Sequence, residues 1–310
     1  VKILFSEHNS VAYLLIREPH ETSSLVLVDP ASGSLLSQYP VGKDRSTAQD
    51  FLMLPTGKLA ISFLNLNELW IVNPSDGRVE VKLSLERFAG RDGKAEAVGL
   101  HLIHDLLAIS IAGIDQWNGW RVNPNEAWLI LVDFQSYEIV EVLPLSVGNV
   151  WKPIQTTAGG YLVLESGNLG ELDGKLHWLV RSRNGIDHTW IPWISEKQLG
   201  YEISDAWSDG VSGRLFVLGT DNFKSRSGHF FVRVIEPSGE GYQILGSREG
   251  GMFRSLSVVR DALGNRLLFV ASHHPEHSGF FVFSLDPWKL HSVFIPFGAE
   301  EPPEHCVAMP

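Results

Sequence analysis

One short phrase recurs along this chain, and it restricts the available folds more than any other property. An apolar run ends in a polar residue, then a turn, then a shorter apolar run. It reads LVLVDPASG at 25–33, LWIVNPSDG at 69–77, WLILVDFQS at 128–136, LHWLVRSRNG at 176–185, FVRVIEPSG at 231–239 and FVFSLDPW at 281–288. With Asp29, Asn73, Asp133, Arg181, Glu236 and Asp286 taken as equivalent, the steps between them are 44, 60, 48, 55 and 50 residues. Strand-like units repeating at such intervals are the mark of β-propeller blades, which bury their faces only by stacking on neighbours. The reading is therefore an all-β chain, a single propeller domain spanning 1–310. Its blades are four-stranded and antiparallel, six in number with seven as the alternative.

Each unit resolves into four strands, A to D. In the second unit A is 49–54, B is 59–63, C is 69–72 and D is 79–85, separated by PTG at 55–57 and PSDG at 74–77. Gly, Asp and Pro at these points supply the backbone angles a tight turn needs. The other B strands are expected at 12–16, 106–111, 161–165, 214–218 and 266–271. They are continuous apolar runs, as strands covered on both faces must be. No stretch holds a helical period, so helix should be scarce. Ring closure is expected from the tail at 306–309 pairing beside the N-terminal strand at 2–5, or else that tail opens a seventh blade.

Loop lengths are unequal. The A–B and C–D turns are short, whereas the B–C loops at 17–24, 113–126, 166–174, 220–228 and 272–279 are long, as are the D–A connections at 86–96 and 195–201. In an antiparallel blade the B–C and D–A loops leave by the same edge. Elaborated loops on a rigid scaffold are where binding usually sits.

Composition narrows the partners. With 36 acidic and 25 basic residues the formal charge is −11, which repels phosphate backbones and disfavours nucleic acid as a partner. Cys306 is the sole cysteine, so an intrachain disulfide and a multi-cysteine metal site are excluded. No run of 18 apolar residues exists to form a transmembrane segment. The first residue is Val1 rather than Met, as expected where an N-terminal piece has been removed, a cleaved signal peptide being one such case.

The phrases LVLVDPASG and LWIVNPSDG, with PTGKLAISF at 55–63, resemble the bacterial YVTN-type, surface-layer-like β-propeller repeat proteins. DGKAEAVGL at 92–100 and SGNLGELDGKL at 166–176 are similar to segments of secreted or lipid-anchored bacterial members. The resemblance runs from residue 11 to about 185; the literal YVTN tetrapeptide is absent. It implies a periplasmic or extracellular place in the cell envelope and a binding or scaffolding role with a protein partner, which would suit a subunit of a larger envelope assembly. It supplies no catalytic residues.

Three constellations could carry chemistry. The longest B–C loop, GIDQWNGWRVNPNE at 113–126, sets Trp117 and Trp120 around an Asn-Gly turn beside Asp115 and Arg121. Aromatic rings and an arginine are the usual anchors of a protein interface, and rings beside amides also suit a sugar or peptide. The structural alternative folds both indoles into a local core. Asn222, in the fifth B–C loop, joins this partner-binding set. Second, Asp50, Glu96, Lys152, Asp205 and Arg254 stand near the starts of A strands, where they would ring a channel mouth. There they could hold a ligand or Ca²⁺, or simply pair as solvated ions. Third, His273, His274, Glu276 and His277 offer three imidazoles and a carboxylate to a divalent metal such as Zn²⁺, although Pro275 denies them a helix. The bland reading of that loop is a solvated polar turn.

His101 and His104 fall on opposite sides of a strand, and His104-Asp105 is expected at a tight A–B turn. Asp187-His188 opens an outermost strand without a partner serine. Nucleophile elbow, phosphate loop and dinucleotide fingerprint are all missing. The function expected is non-enzymatic: a binding or scaffold propeller, with no resident cofactor, that docks a protein on its long-loop edge. The alternative is a metal-dependent hydrolase or lyase at the channel mouth.

Overall fold

In the computed structural model the described residues are all but 1, 7–10, 17–21, 44–45, 149, 156–159, 169, 182–187, 210, 222–228, 248–251, 261–262, 274–277 and 297–310. Six four-stranded antiparallel sheets, each built from strands consecutive within it, make a six-bladed β-propeller. The expected closure strand at 306–309 lies outside the described residues.

Contacts group the chain into two compact units, Val1–Pro153 and Ile154–Pro310. In the first, blade 1 is β1 (Lys2–Ser6), β2 (Val11–Ile16), β3 (Ser23–Asp29) and β4 (Ser34–Val41). Blade 2 is β5 (Ala48–Met53), β6 (Leu59–Phe63), β7 (Glu68–Val72) and β8 (Val79–Ser84). Blade 3 is β9 (Ala97–Ile103), β10 (Leu106–Ile111), β13 (Trp128–Asp133) and β14 (Ile139–Pro144), with a two-stranded hairpin, β11 (Ile114–Asp115) and β12 (Arg121–Val122), inserted between its second and third strands.

The remaining sheets follow the same order. Blade 4 is β15 (Val150–Gln155), β16 (Tyr161–Glu165), β17 (Lys175–Arg181) and β18 (His188–Ser195). Blade 5 is β19 (Glu202–Ser208), β20 (Leu215–Thr220), β21 (Phe230–Ile235) and β22 (Gly241–Gly246). Blade 6 is β23 (Met252–Arg260), β24 (Arg266–His273), β25 (Gly279–Leu285) and β26 (Trp288–Pro296). Helix is confined, among the described residues, to short 3₁₀ turns and the four-residue α1 (Glu196–Leu199), which Ser195 and Gln198 close with a reciprocal capping box.

The strand patterns explain the stacking. All residues of β6, β16 and β20 are buried, because second strands are covered on both faces, whereas β8 alternates half-buried and exposed at the outer edge. Apolar clusters fill the space between successive blades within each unit. Leu25, Phe51 and Phe63 join blades 1 and 2, and Ile71, Leu107 and Val132 join blades 2 and 3. Leu164, Ile203 and Val217 join blades 4 and 5, and Phe216, Leu256 and Phe283 join blades 5 and 6.

The repeated phrase owes its polar residue to the C–D turn. Asp29 Oδ1 accepts from Ala31 N at 2.9 Å, Asn73 Oδ1 from Ser75 N at 3.0 Å and Asp133 Oδ1 from Ser136 N at 2.8 Å. These side chains mimic a backbone turn. The Ser32 hydroxyl also donates to Asp29 and holds its carboxyl below the ordinary range. Four residues on, the chain must pass through positive φ. Gly33 and Gly77 do so at 69° and 71°, and in blade 3 Tyr137 takes the position at 60°. At the A–B turn of blade 3, His104 also has positive φ, as the tight turn expected there requires.

Candidate functional site

The long insertion of blade 3 closes on itself. Asp115 accepts from the backbone N–H of both Trp117 and Asn118 at 3.1 Å, capping the 3₁₀ turn Gln116–Asn118. Gly119 and Trp120 then pass through positive φ, at 70° and 64°, and Trp120 N donates back to Asp115 O at 3.0 Å. Register pairs Asp115 with Arg121 across the hairpin. The outcome for the tryptophans is clear: Trp117 is 76% exposed and Trp120 59%, so neither folds into a core. Arg121 is exposed beside them.

Underneath, the hairpin is bolted to the connection between blades 2 and 3. The Gln116 amide donates to Glu96 Oε1 at 3.0 Å and to Asn65 Oδ1 at 3.3 Å, while Gln116 N donates to Asp92 Oδ2 at 3.3 Å. Lys94 Nζ reaches Asn65 O at 3.2 Å, and Arg91 N reaches Glu126 Oε2 at 3.2 Å. Glu96 is only 1% exposed and sits at φ 53°, a conformation held by these neighbours. Burial pushes its carboxyl up to about 7, with the charge of Asp92 adding to the rise and the Gln116 hydrogen bond opposing it.

Glu96, expected at the channel mouth, thus fastens the tryptophan hairpin from below. Two other members of that set are neither open ligand groups nor solvated ions. In β5 a bulge at Gln49 turns Asp50 so that Oδ1 accepts from Phe51 N at 2.7 Å and Oδ2 from Leu100 N of blade 3 at 2.9 Å. In β19 a bulge at Ser204 does the same for Asp205, which accepts from Ala206 N and, at 2.8 Å, from Leu256 N of blade 6. Both aspartates are buried. Each staples one blade to the next. Arg254 is the bulged residue of β23 and Lys152 lies in β15; their side chains lie outside the described residues.

Of the histidine loop, His273 ends β24, half-buried, with Ser278 Oγ 3.3 Å from its Nδ1. His274, Glu276 and His277 lie outside the described residues, as does Asn222. Among the described residues no group of three or more His, Cys, Asp or Glu is placed to hold a metal, and no helix is long and apolar enough to cross a membrane.

Residues that were not singled out in the sequence build a second acidic locus in blades 4 and 5. Glu196 is buried at the start of α1; its carboxylate accepts from Gly174 N at 2.8 Å and Ile203 N at 2.7 Å. Burial raises it to about 7 despite those donors, and Glu202 and Asp173 add to the rise. Nearby, Glu202 accepts from Gly170 N, so the loop at 166–174 is held down by both glutamates. In the middle of blade 4, His177 Nε2 lies 3.3 Å from Glu165 Oε1, and burial pushes the imidazole down against the pull of that carboxylate.

No protein-family model matches the chain, and no curated protein matches it. Solved structures do. The β-propeller domain of Cps50 (Swd1) from Myceliophteria thermophila is similar at TM-score 0.56 and 11% identity, over 97% of this chain and 86% of that one. The streptogramin B lyase structure is similar at TM-score 0.59 and 9% identity, over 95% and 81%. Dihydro-heme d1 dehydrogenase NirN, in complex with DHE, is similar at TM-score 0.54 and 12% identity; the match covers 94% of this chain and 56% of NirN. At such identities the likeness is one of fold. It defines the class, a β-propeller, and nothing narrower; the count of six blades comes from this chain's own sheets.

Proposed function

We propose that this propeller is a non-enzymatic binding protein that docks a protein partner on the loop edge of blade 3. The carrying observation is the exposure of Trp117 and Trp120 on a hairpin whose base is tied down by Gln116 and Glu126. Leaving an aromatic side chain in water forgoes about 1.5–3 kcal/mol of burial. A flexible loop would fold such rings back, whereas this one is capped, turned and bolted so that both stand out. Rigid aromatic anchors with a polar surround are what an interface hot spot needs, and little ordering entropy remains to be lost on binding. The partner suited to it presents apolar hollows for two indoles, with carbonyl groups at their rims to accept the indole N–H.

The resemblance to YVTN-type repeat proteins supports the further reading of a bacterial envelope location, periplasmic or extracellular, and of membership in a larger assembly. The hydrolase or lyase alternative draws on channel-mouth carboxylates, and Asp50 and Asp205 each give both oxygens to backbone N–H groups. Capture from the native envelope fraction, wild type against Trp117→Ala/Trp120→Ala, tests the proposal. A stoichiometric protein lost in the double variant supports it; equal capture by both removes the hairpin from the interface.

A further inference from the structure

A cavity of about 420 Å³ opens in blade 5, where the connection into β19 meets the stems of the loop between β20 and β21. Its wall is built around Arg233. The guanidinium carbon lies 5.1 Å from the ring centre of Tyr201 and 5.3 Å from that of Phe231, and the two rings meet edge to face at 4.7 Å. Phe231 and Arg233 share a face of β21 as residues two apart. Gly219 makes the arrangement possible: a Cβ there would stand 2.6 Å from Tyr201 Cδ2 and 2.7 Å from Phe231 Cε2.

Arg233 is well placed and poorly paired. Among the described residues it forms no ion pair, and its buried Nε has no hydrogen-bond partner; its charge and a side-chain hydrogen bond act on the Tyr201 hydroxyl, which leaves the rest of the fork for a ligand. The other arginines in comparable strands are matched: Arg214 meets Glu236, and Arg266 meets Asp209 and Asp286. In a chain of formal charge −11, a half-buried cation without a carboxylate stands out. Gln243 lies opposite Arg233 in the register with β22 and lines the same cavity. The walls are fixed, since Asp221 accepts from His229 N at 2.9 Å and Ser247 Oγ accepts from Phe230 N at 3.0 Å.

We propose that this cavity binds a small organic monocarboxylate, its carboxylate taken by the Arg233 guanidinium and the Gln243 amide, its apolar body lying against Leu199 and Phe231, which pack on the same face of the blade. The volume falls in the range of small-molecule sites, and the lining is a mixture of polar groups with the apolar surface of Leu199 and Phe231, suited to a small polar ligand with a short apolar body. Guanidinium geometry matches a carboxylate in two parallel hydrogen bonds, and the ring stack holds the fork in place beforehand. One cation neutralises one negative charge. The Asp221 carboxylate in the same lining opposes a second, which favours a monoanion over a phosphate dianion.

Isothermal titration calorimetry on the full chain, with butyrate, benzoate and inorganic phosphate at constant ionic strength, tests this. Saturable binding of a carboxylate is expected, with phosphate weaker by about tenfold or more, and with Arg233→Gln lowering carboxylate affinity by at least about tenfold, the worth of one charge-assisted pair. Gln243 is exposed, so Gln243→Glu leaves the core alone and should lower carboxylate affinity similarly by repulsion; it serves if Arg233→Gln loses the wild-type circular dichroism spectrum. Absence of saturation with both carboxylates, tighter binding of phosphate, or unchanged affinity in a folded variant overturns the proposal.

Discussion

The two edges of the blades treat their polar side chains differently. At the short-turn edge many of the polar groups that the structure describes are committed to the chain itself. Asp29, Asn73 and Asp133 close their own turns, Arg214 meets Glu236, and Arg266 is gripped by Asp209 and by Asp286, whose Oδ2 lies 2.7 Å from its Nε. At the long-loop edge the commitment is partial. Gln116, Glu96 and Glu196 fasten loops, yet Trp117 and Trp120 are held in position and exposed, and below the loops of blade 5, in mid-strand, Arg233 keeps a buried Nε without a hydrogen bond. Short turns consume their polar groups in making the fold; long loops have residues left over, and a residue that is rigid but unsatisfied is available to something else.

The sharpest way to break that contrast is at the short-turn edge. Arg266→Ala strands two carboxylates, one of them buried, and should cost about 3–5 kcal/mol, read as a lowered urea midpoint. Arg214→Ala, at the matching position of the neighbouring blade, breaks a pair of which both members are about a quarter exposed, and should cost under about 1 kcal/mol. Equal losses would show that burial is not what separates them. Next come the staples: Asp50→Ala and Asp205→Ala each leave buried N–H groups unpaired and should cost about 2–4 kcal/mol by the same assay.

A smaller effect follows pH. Glu96 and Glu196 have folded values near 7, above the ordinary 4.5 of an unfolded chain. Between those values the folded protein binds more protons than the unfolded one. Their contribution is therefore fullest below pH 4.5 and is lost as pH rises through about 7. His177 has the opposite sign, since its lowered value makes stability rise with pH on the acid side of 6.5. Glu96→Gln and Glu196→Gln isolate the glutamates: in each, the fall in melting temperature between about pH 5 and about pH 8 should shrink relative to wild type. An unchanged fall would show that these carboxyls do not titrate in that window. The smallest effect belongs to the tryptophans. Trp117→Ala and Trp120→Ala should each shift stability by no more than about 0.5 kcal/mol, because exposed side chains carry little folding energy.

Much of this was legible from residue types alone. The second strands of blades 2, 3 and 4 fall at 59–63, 106–111 and 161–165 as their apolar runs predict, because burial on both faces writes a continuous signal. The place of Trp117 and Trp120 around an Asn-Gly turn in the longest loop was legible, but residue types left open whether the indoles stood out or folded into a local core; the capping by Asp115 and the tie from Gln116 decide it. The roles of Asp50 and Asp205 did not, since their partners are backbone N–H groups some fifty residues away, at Leu100 and Leu256, and backbone donors leave no trace in side-chain identity. The link of Glu96 to Gln116 was not legible, because it depends on how the hairpin folds back. Arg233 was invisible for a similar reason: it sits in an ordinary strand phrase, and its setting is made by Gly219 on the adjacent strand and by Tyr201 at the end of another loop.

The central claim is that the blade 3 hairpin is a docking surface, and crosslinked capture from the native envelope fraction tests it most directly. Wild type and Trp117→Ala/Trp120→Ala would be compared at matched fold and concentration, with bound proteins quantified by mass spectrometry. One partner recovered in stoichiometric amount by wild type and depleted by about tenfold in the double variant, two hot-spot anchors lost, is the predicted result. The same partner recovered equally by both proteins would contradict it.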